Sequence, residues 1–187
     1  MVPRAEPQSY YGRPVIKEPV WTWEIPCYFF TGGLAGASAT LGLAAGAAGN
    51  EQLARGAWLA AMAGIAASPP LLISDLGRPE RFLHMLRMFK VTSPMSLGTW
   101  ILSTSGPLTA VATAHAVLGR CARLAPLAKL GAGALGPALC TYTAVLVADT
   151  AVPAWHEARH ELPFVFAGSA MASAGAAAAL LTPRASA

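Results

Sequence analysis

The chain has 187 residues, of which 55% are hydrophobic and only 12% charged, with a formal net charge of +4. Soluble domains carry roughly 25% charged residues, so this composition excludes an ordinary soluble domain. No RNA- or DNA-binding motif is present, which directs the positive excess to lipid head groups or an acidic partner subunit rather than to nucleic acid.

Residues 1–22 form a polar, proline-rich arm with Arg4, Arg13 and Lys17, which is not expected to act as a removable signal peptide. Five long apolar runs follow, at Trp23–Ala48, Gly56–Ile73, Leu97–Leu118, Leu130–Val152 and Pro163–Leu181. A helical crossing of the hydrocarbon core needs roughly 20 apolar residues. The pattern therefore predicts an all-α, polytopic membrane protein: a four-helix transmembrane bundle over 23–152 and, after a loop, a fifth transmembrane helix within 153–187. Gly32 and Gly36, then Gly42 and Gly46, repeat the small-residue spacing that lets helices approach in lipid. Pro107 and Pro137 fall inside spans and should kink them.

The longest connection, residues 74–96, predicts an amphipathic interfacial helix over 79–90. Pro79 opens it, Phe82, Leu83, Leu86 and Phe89 share one face, and Arg81, His84, Arg87 and Lys90 lie elsewhere. Such a helix either anchors to the lipid surface or docks a partner. Arg4, Arg13, Lys17, Arg78, Arg81, Arg87, Lys90 and Arg159 fall on the N-terminal side of the membrane, against Arg55, Arg120, Arg123, Lys129 and Arg184 on the other. This bias favours a cytoplasmic N-terminus.

Ionisable groups at membrane depth are costly and mark function. Glu24 opens span one with Tyr28 a turn later, Asp75 closes span two, and Tyr142 and Asp149 lie two turns apart on one face of span four. Glu24, Asp75 and Asp149 fall toward the same side. Phenols and carboxylates gathered there suit a quinone, which needs hydrogen bonds to two carbonyls and a route for two protons; equally, the acids suit head-group caps. Paired axial histidines for haem are absent, since His115 is the only histidine within a span. Cys27, Cys121 and Cys140 have no iron–sulfur spacing and read as buried or interfacial thiols. His156-Glu157-Ala158-Arg159-His160 matches the H-E-x-x-H pattern of zinc proteases. Its loop, bracketed by Pro153 and Pro163, is short for a helix, and a third ligand is unclear. A polar head-group loop is the competing reading, and no metal site is assigned.

Trp21-Thr22-Trp23 followed by Tyr28-Phe29-Phe30-Thr31-Gly32-Gly33-Leu34-Ala35-Gly36 resembles the first span of the NrfD family, which includes the membrane subunit of polysulfide reductase. Ser74-Asp75-Leu76-Gly77-Arg78-Pro79-Glu80-Arg81-Phe82, Thr92-Ser93-Pro94-Met95-Ser96 and Gly98-Thr99-Trp100 extend the likeness, as do Tyr142-Thr143 and Pro153-Ala154-Trp155. The resemblance implies a subunit of a respiratory oxidoreductase in the bacterial cytoplasmic membrane. It would bind menaquinone or ubiquinone as substrate and carry no haem or iron–sulfur cluster of its own. Electrons would pass to a docked ferredoxin-like iron–sulfur subunit and on to a catalytic subunit, commonly a molybdopterin enzyme. The family's quinone site uses an asparagine and a histidine of the first span and a tyrosine of the fourth. Aligned on the Trp-x-Trp pair, these fall on Ile25, Tyr28 and Tyr142, with Glu24 compensating for the lost amide. Tyr28 and Tyr142 are thus the implied quinone ligands, with Glu24, Asp75 and Asp149 for protons, and Arg78 and Arg81 beside the head group or the docking surface. Family members usually have two four-helix bundles, so the fifth helix is expected to open a truncated second one. A membrane anchor without quinone chemistry is the alternative.

Overall fold

The computed structural model describes residues 19, 21–76 and 78–183, apart from the side chain of Arg81. Most of the N-terminal arm, with Arg4, Arg13 and Lys17, and also Arg184, lie outside the described residues. Among the described residues five helices are long and apolar enough to cross a membrane: α1 (Glu24–Ala47), α2 (Glu51–Ser74), α3 (Pro94–Leu118), α4 (Ala125–Ala148) and α6 (Leu162–Leu181). A 3-10 helix, Pro79–Arg87, joins α2 to α3. The short α5 (Pro153–Glu157) and a single 3-10 turn, Ala158–His160, join α4 to α6. No strand occurs among the described residues.

Each predicted span is found, but α2, α3 and α4 begin three to five residues before their apolar runs. Hydropathy locates the hydrocarbon core, whereas a helix continues into the head groups until a cap stops it. Asn50 caps α2 by accepting from the Leu53 amide at 3.1 Å. Ser93 caps α3 through the Ser96 amide at 3.4 Å, and Gly119, at φ +66°, ends it in the left-handed conformation.

The helices approach through small residues, because lipid leaves packing and interhelical hydrogen bonds to do what hydrophobic burial does in water. Helix α1 lies at the centre, against α2, α4 and α6. A methyl group on Gly36 would fall 2.9 Å from Cys140 Sγ and 3.1 Å from Leu139 Cβ, and one on Gly136 would strike the Gly36 carbonyl. Thr40 locks this crossing, donating from Oγ1 to the Gly133 carbonyl at 3.0 Å. Toward the other face, Gly42 makes room for the fully buried Trp58 of α2. Thr113 of α3 then donates to the Trp58 carbonyl at 3.0 Å. The two glycines expected to share a face divide their work: Gly36 meets α4, while a methyl on Gly32 would lie 3.5 Å from the Tyr28 ring.

Helix α6 buries Ala170, Ala174 and Ala178 and packs against α1, α2 and α4. Phe164 and Leu180 on it are 80% and 87% exposed, as suits a lipid-facing or subunit-facing surface.

The segment expected to be an amphipathic helix over 79–90 is instead a 3-10 helix that ends at Arg87. At three residues per turn, Phe82 and Met85 align on one face, and both are half-buried against the bundle. Of the four residues expected on one face, Phe82 and Leu86 are half-buried, whereas Leu83 and Phe89 are 68% and 62% exposed. Its exit is pinned to α3: the Met88 carbonyl accepts from Trp100 Nε1 at 3.1 Å and from Ser96 Oγ at 3.2 Å. The Phe89 ring stands edge-on to Trp100.

Gly136→Ala should destabilise the protein by about 1–3 kcal/mol, the usual cost of overpacking. Gly106→Ala, where a methyl meets nothing within 4 Å, should be neutral or slightly stabilising, since alanine favours helix. Unfolding of both variants in mild detergent checks the pair.

Candidate functional site

At the membrane face where α1 begins and α2 and α4 end, a cavity of about 90 Å³ opens between the bundle and the 3-10 segment. Trp21, Ile25 and Tyr28 supply one wall, and Leu72, Asp75 and Leu76 the end of α2. Phe82 and Met85 close it from the connection, Met95, Thr99, Leu102 and Ser103 line it from α3, and Tyr142 and Leu146 from α4. The lining is apolar with a few polar groups, the usual make-up of a small-molecule site. Its volume is below the roughly 300 Å³ of ligand-sized pockets, so a ring-sized occupant requires Phe82, Met85 and Met95 to shift. All three come from the connection or from the first turn of α3.

Tyr28 and Tyr142 face each other across this cavity, ring centroids 6.4 Å apart and tilted by 58°. Tyr142 is seated by a missing side chain: a methyl on Gly98 would lie 2.8 Å from its Cδ2. Tyr28 is 1% exposed, and its hydroxyl has no hydrogen-bond partner among the described residues. An unpaired buried hydroxyl costs about 1–3 kcal/mol; a group left in that state calls for a ligand or water.

Asp75 lines the cavity and Glu24 stands beside it. Thr22 connects them, its Oγ1 contacting Glu24 Oε2 and lying 2.8 Å from Asp75 Oδ1. The Thr22 amide also donates to Asp75 Oδ1, at 3.3 Å. The Thr22 hydroxyl thus joins the two carboxyl groups at the edge of the cavity. Asp149 is the C-cap of α4, exposed and outside the cavity wall. Arg78 is exposed on the connection, and the side chain of Arg81 lies outside the described residues.

Thr22, Thr99, Ser103 and the seating role of Gly98 did not emerge from the sequence, because none is ionisable and their placement depends on which helices become neighbours. Two separated tryptophans also meet: Trp21 stacks on Trp155 of α5, centroids 6.4 Å apart and 9° from parallel. Trp21 also stands edge-on to Phe29 at 5.8 Å. The stack ties the segment before α1 to the exit of α4 and holds Thr22 over Asp75.

These are the segments whose wording carried the family likeness, and they converge on one cavity. The family model described as "Polysulphide reductase, NrfD" matches residues 14–186. The chain belongs to the NrfD family. No curated protein and no solved structure matches it. Membership together with five apolar helices makes it an integral membrane protein with the role of a membrane subunit in polysulphide-reductase-like complexes.

The H-E-x-x-H motif does not form the helix its chemistry needs. Helix α5 stops at Glu157 and a 3-10 turn carries His160, so the two imidazoles lose the one-face spacing of a continuous helix. His156 Nδ1 lies 3.2 Å from the Ala148 carbonyl. Among the described residues no three His, Cys, Asp or Glu side chains group as metal ligands.

Gly98→Ala should displace the Tyr142 ring and lower stability by about 1–3 kcal/mol. Adding Tyr142→Ala should recover part of that loss, giving a coupling energy of about 0.5–3 kcal/mol in a double-mutant cycle. Additive losses would mean that the ring does not rest on Gly98.

Proposed function

We propose that this NrfD-family subunit binds a membrane quinone or quinol in the Tyr28–Tyr142 cavity and exchanges electrons with a docked iron–sulfur subunit. The observation that carries the reading is Tyr28, whose buried hydroxyl has no partner among the described residues, lining a cavity together with Tyr142 and Asp75. The two phenols are donors suited to the carbonyls of a quinone ring, and the apolar lining suits the ring itself.

Oxidation of a quinol to a quinone releases two electrons and two protons. Asp75, backed by Thr22 and Glu24, is placed to take protons at the cavity wall, and Asp149 is positioned nearer the water to relay them. The electrons leave to the partner. Arg78, Arg87 and Lys90, all exposed on the connection that closes the cavity, form a basic surface for a ferredoxin-like iron–sulfur subunit, which in turn feeds or drains a catalytic subunit of molybdopterin type. Menaquinone and ubiquinone share the carbonyl chemistry the site reads. The bacterial cytoplasmic membrane, with the N-terminus on the cytoplasmic side, is the setting we assign.

The small resting volume of the cavity favours one competing reading, a membrane anchor that holds the redox subunits without binding quinone. A water-soluble naphthoquinone, titrated against tryptophan fluorescence, separates the two. Tyr28→Phe should leave the ligand-free protein equally or more stable, by up to about 1–3 kcal/mol, since it removes the unpaired hydroxyl. It should also weaken naphthoquinone binding by about 3–10-fold, the worth of one hydrogen bond. Tyr142→Phe should weaken binding and slow quinol turnover in the assembled complex while membrane insertion is kept. Unchanged binding in both variants would leave the anchor.

A further inference from the structure

A second cavity, of about 310 Å³, opens at the opposite membrane face. It lies where α1 and α3 end and α2 and α4 begin, lined among others by Gly46, Glu51, His115, Pro126 and Lys129. None of these takes part in the site already described. His115 Nδ1 is buried without a hydrogen-bond partner among the described residues, a cost that a ligand would relieve. Helix α4 starts here with no side-chain cap on Leu124, so the positive end of its dipole adds to the charge of Lys129. The two connections and the helix starts that follow them, residues 48–56 and 119–129, carry Arg55, Arg120, Arg123 and Lys129 against the single acid Glu51. Arg120 and Arg123 are exposed at this face. Glu51 stands in the first turn of α2, where that helix's own dipole favours a negative charge.

The cavity is thus roomy, lies at head-group depth, and combines a lysine, an orphaned imidazole and an uncapped helix start under a cationic rim. Basic pockets between transmembrane helices recognise lipid phosphates in this way. We propose that it binds the phosphate head group of an anionic membrane phospholipid. Lys129 would donate to the phosphate oxygens and His115 would supply a ring N–H, with Arg120 and Arg123 drawing the lipid in from the rim. The bound lipid would brace the ends of four helices at the face away from the quinone cavity. This site stands independently of the quinone reading.

The test is native mass spectrometry of the full chain in mild detergent, delipidated and then supplied with dioleoylphosphatidylglycerol or with dioleoylglycerol, which has the same tails and no phosphate. One phosphatidylglycerol should be retained in preference to dioleoylglycerol. Lys129→Gln should weaken that retention at least tenfold, Lys129→Arg should restore most of it, and Arg159→Gln on the opposite face should not change it. Equal retention of the two lipids, or no loss in Lys129→Gln, would overturn the site. Displacement of the lipid by millimolar inorganic phosphate would overturn the lipid assignment, because it would make free phosphate the ligand.

Discussion

Everything at the candidate site depends on how closely α1 and α4 cross. Gly36 and Gly136 place backbone against backbone at mid-membrane, and Thr40 secures the crossing with a hydrogen bond to the Gly133 carbonyl. In lipid no exclusion of water drives such contact, so the closeness itself, through dispersion and a few hydrogen bonds, supplies the stability. From this point α1 runs back eight residues to Tyr28 and α4 runs forward six to Tyr142. At 1.5 Å per residue these are about 12 Å and about 9 Å along the helices. Because the helices are antiparallel, both steps lead to the same face, and the two phenols meet there. Side chains at the glycines would spread the helices and part the rings.

Around that axis the protein builds two unlike ends. One gathers aromatic rings and carboxylates beneath a 3-10 cover pinned to α3 through the Met88 carbonyl. The other is lined by alanine and glycine around Trp58 and ends in a cationic rim. The first end has donors for a carbonyl and acceptors for protons, the groups on which the proposed quinone chemistry rests. The second has charges suited to holding a head group in place. Phe82 and Met85 of the 3-10 cover line the cavity at the first end.

The helical crossings were legible because a bilayer demands long apolar runs and few other sequences supply them. Tyr28, Tyr142, Asp75 and Glu24 could be picked out because phenols and acids are rare in such runs, and the structure gathers these four at one place. Helix ends were less legible, since Asn50 and Ser93 extend α2 and α3 past their apolar stretches. The connection was legible as a helical segment but not as a 3-10 one: Phe82 and Leu86 of the expected face are half-buried, the 3-10 period adds Met85, and Leu83 and Phe89 turn outward. Thr22 and Gly98 were invisible for a different reason. A threonine that bridges two acids, and a glycine that seats a ring from another helix, have meaning only after packing. His115 is a similar case: its place in span three told nothing of the cavity that it shares with Lys129.

The most direct test of the central claim is photolabelling of the detergent-purified subunit with an azido-quinone, followed by mapping of the modified peptides. Label concentrated on residues 21–30, 82–85 and 142–146, and displaced by excess naphthoquinone, is the result this account predicts. Label confined to a groove between α4 and α6, lined by Pro137, Thr141, Ala167 and Met171 among others, or spread without competition, would contradict it.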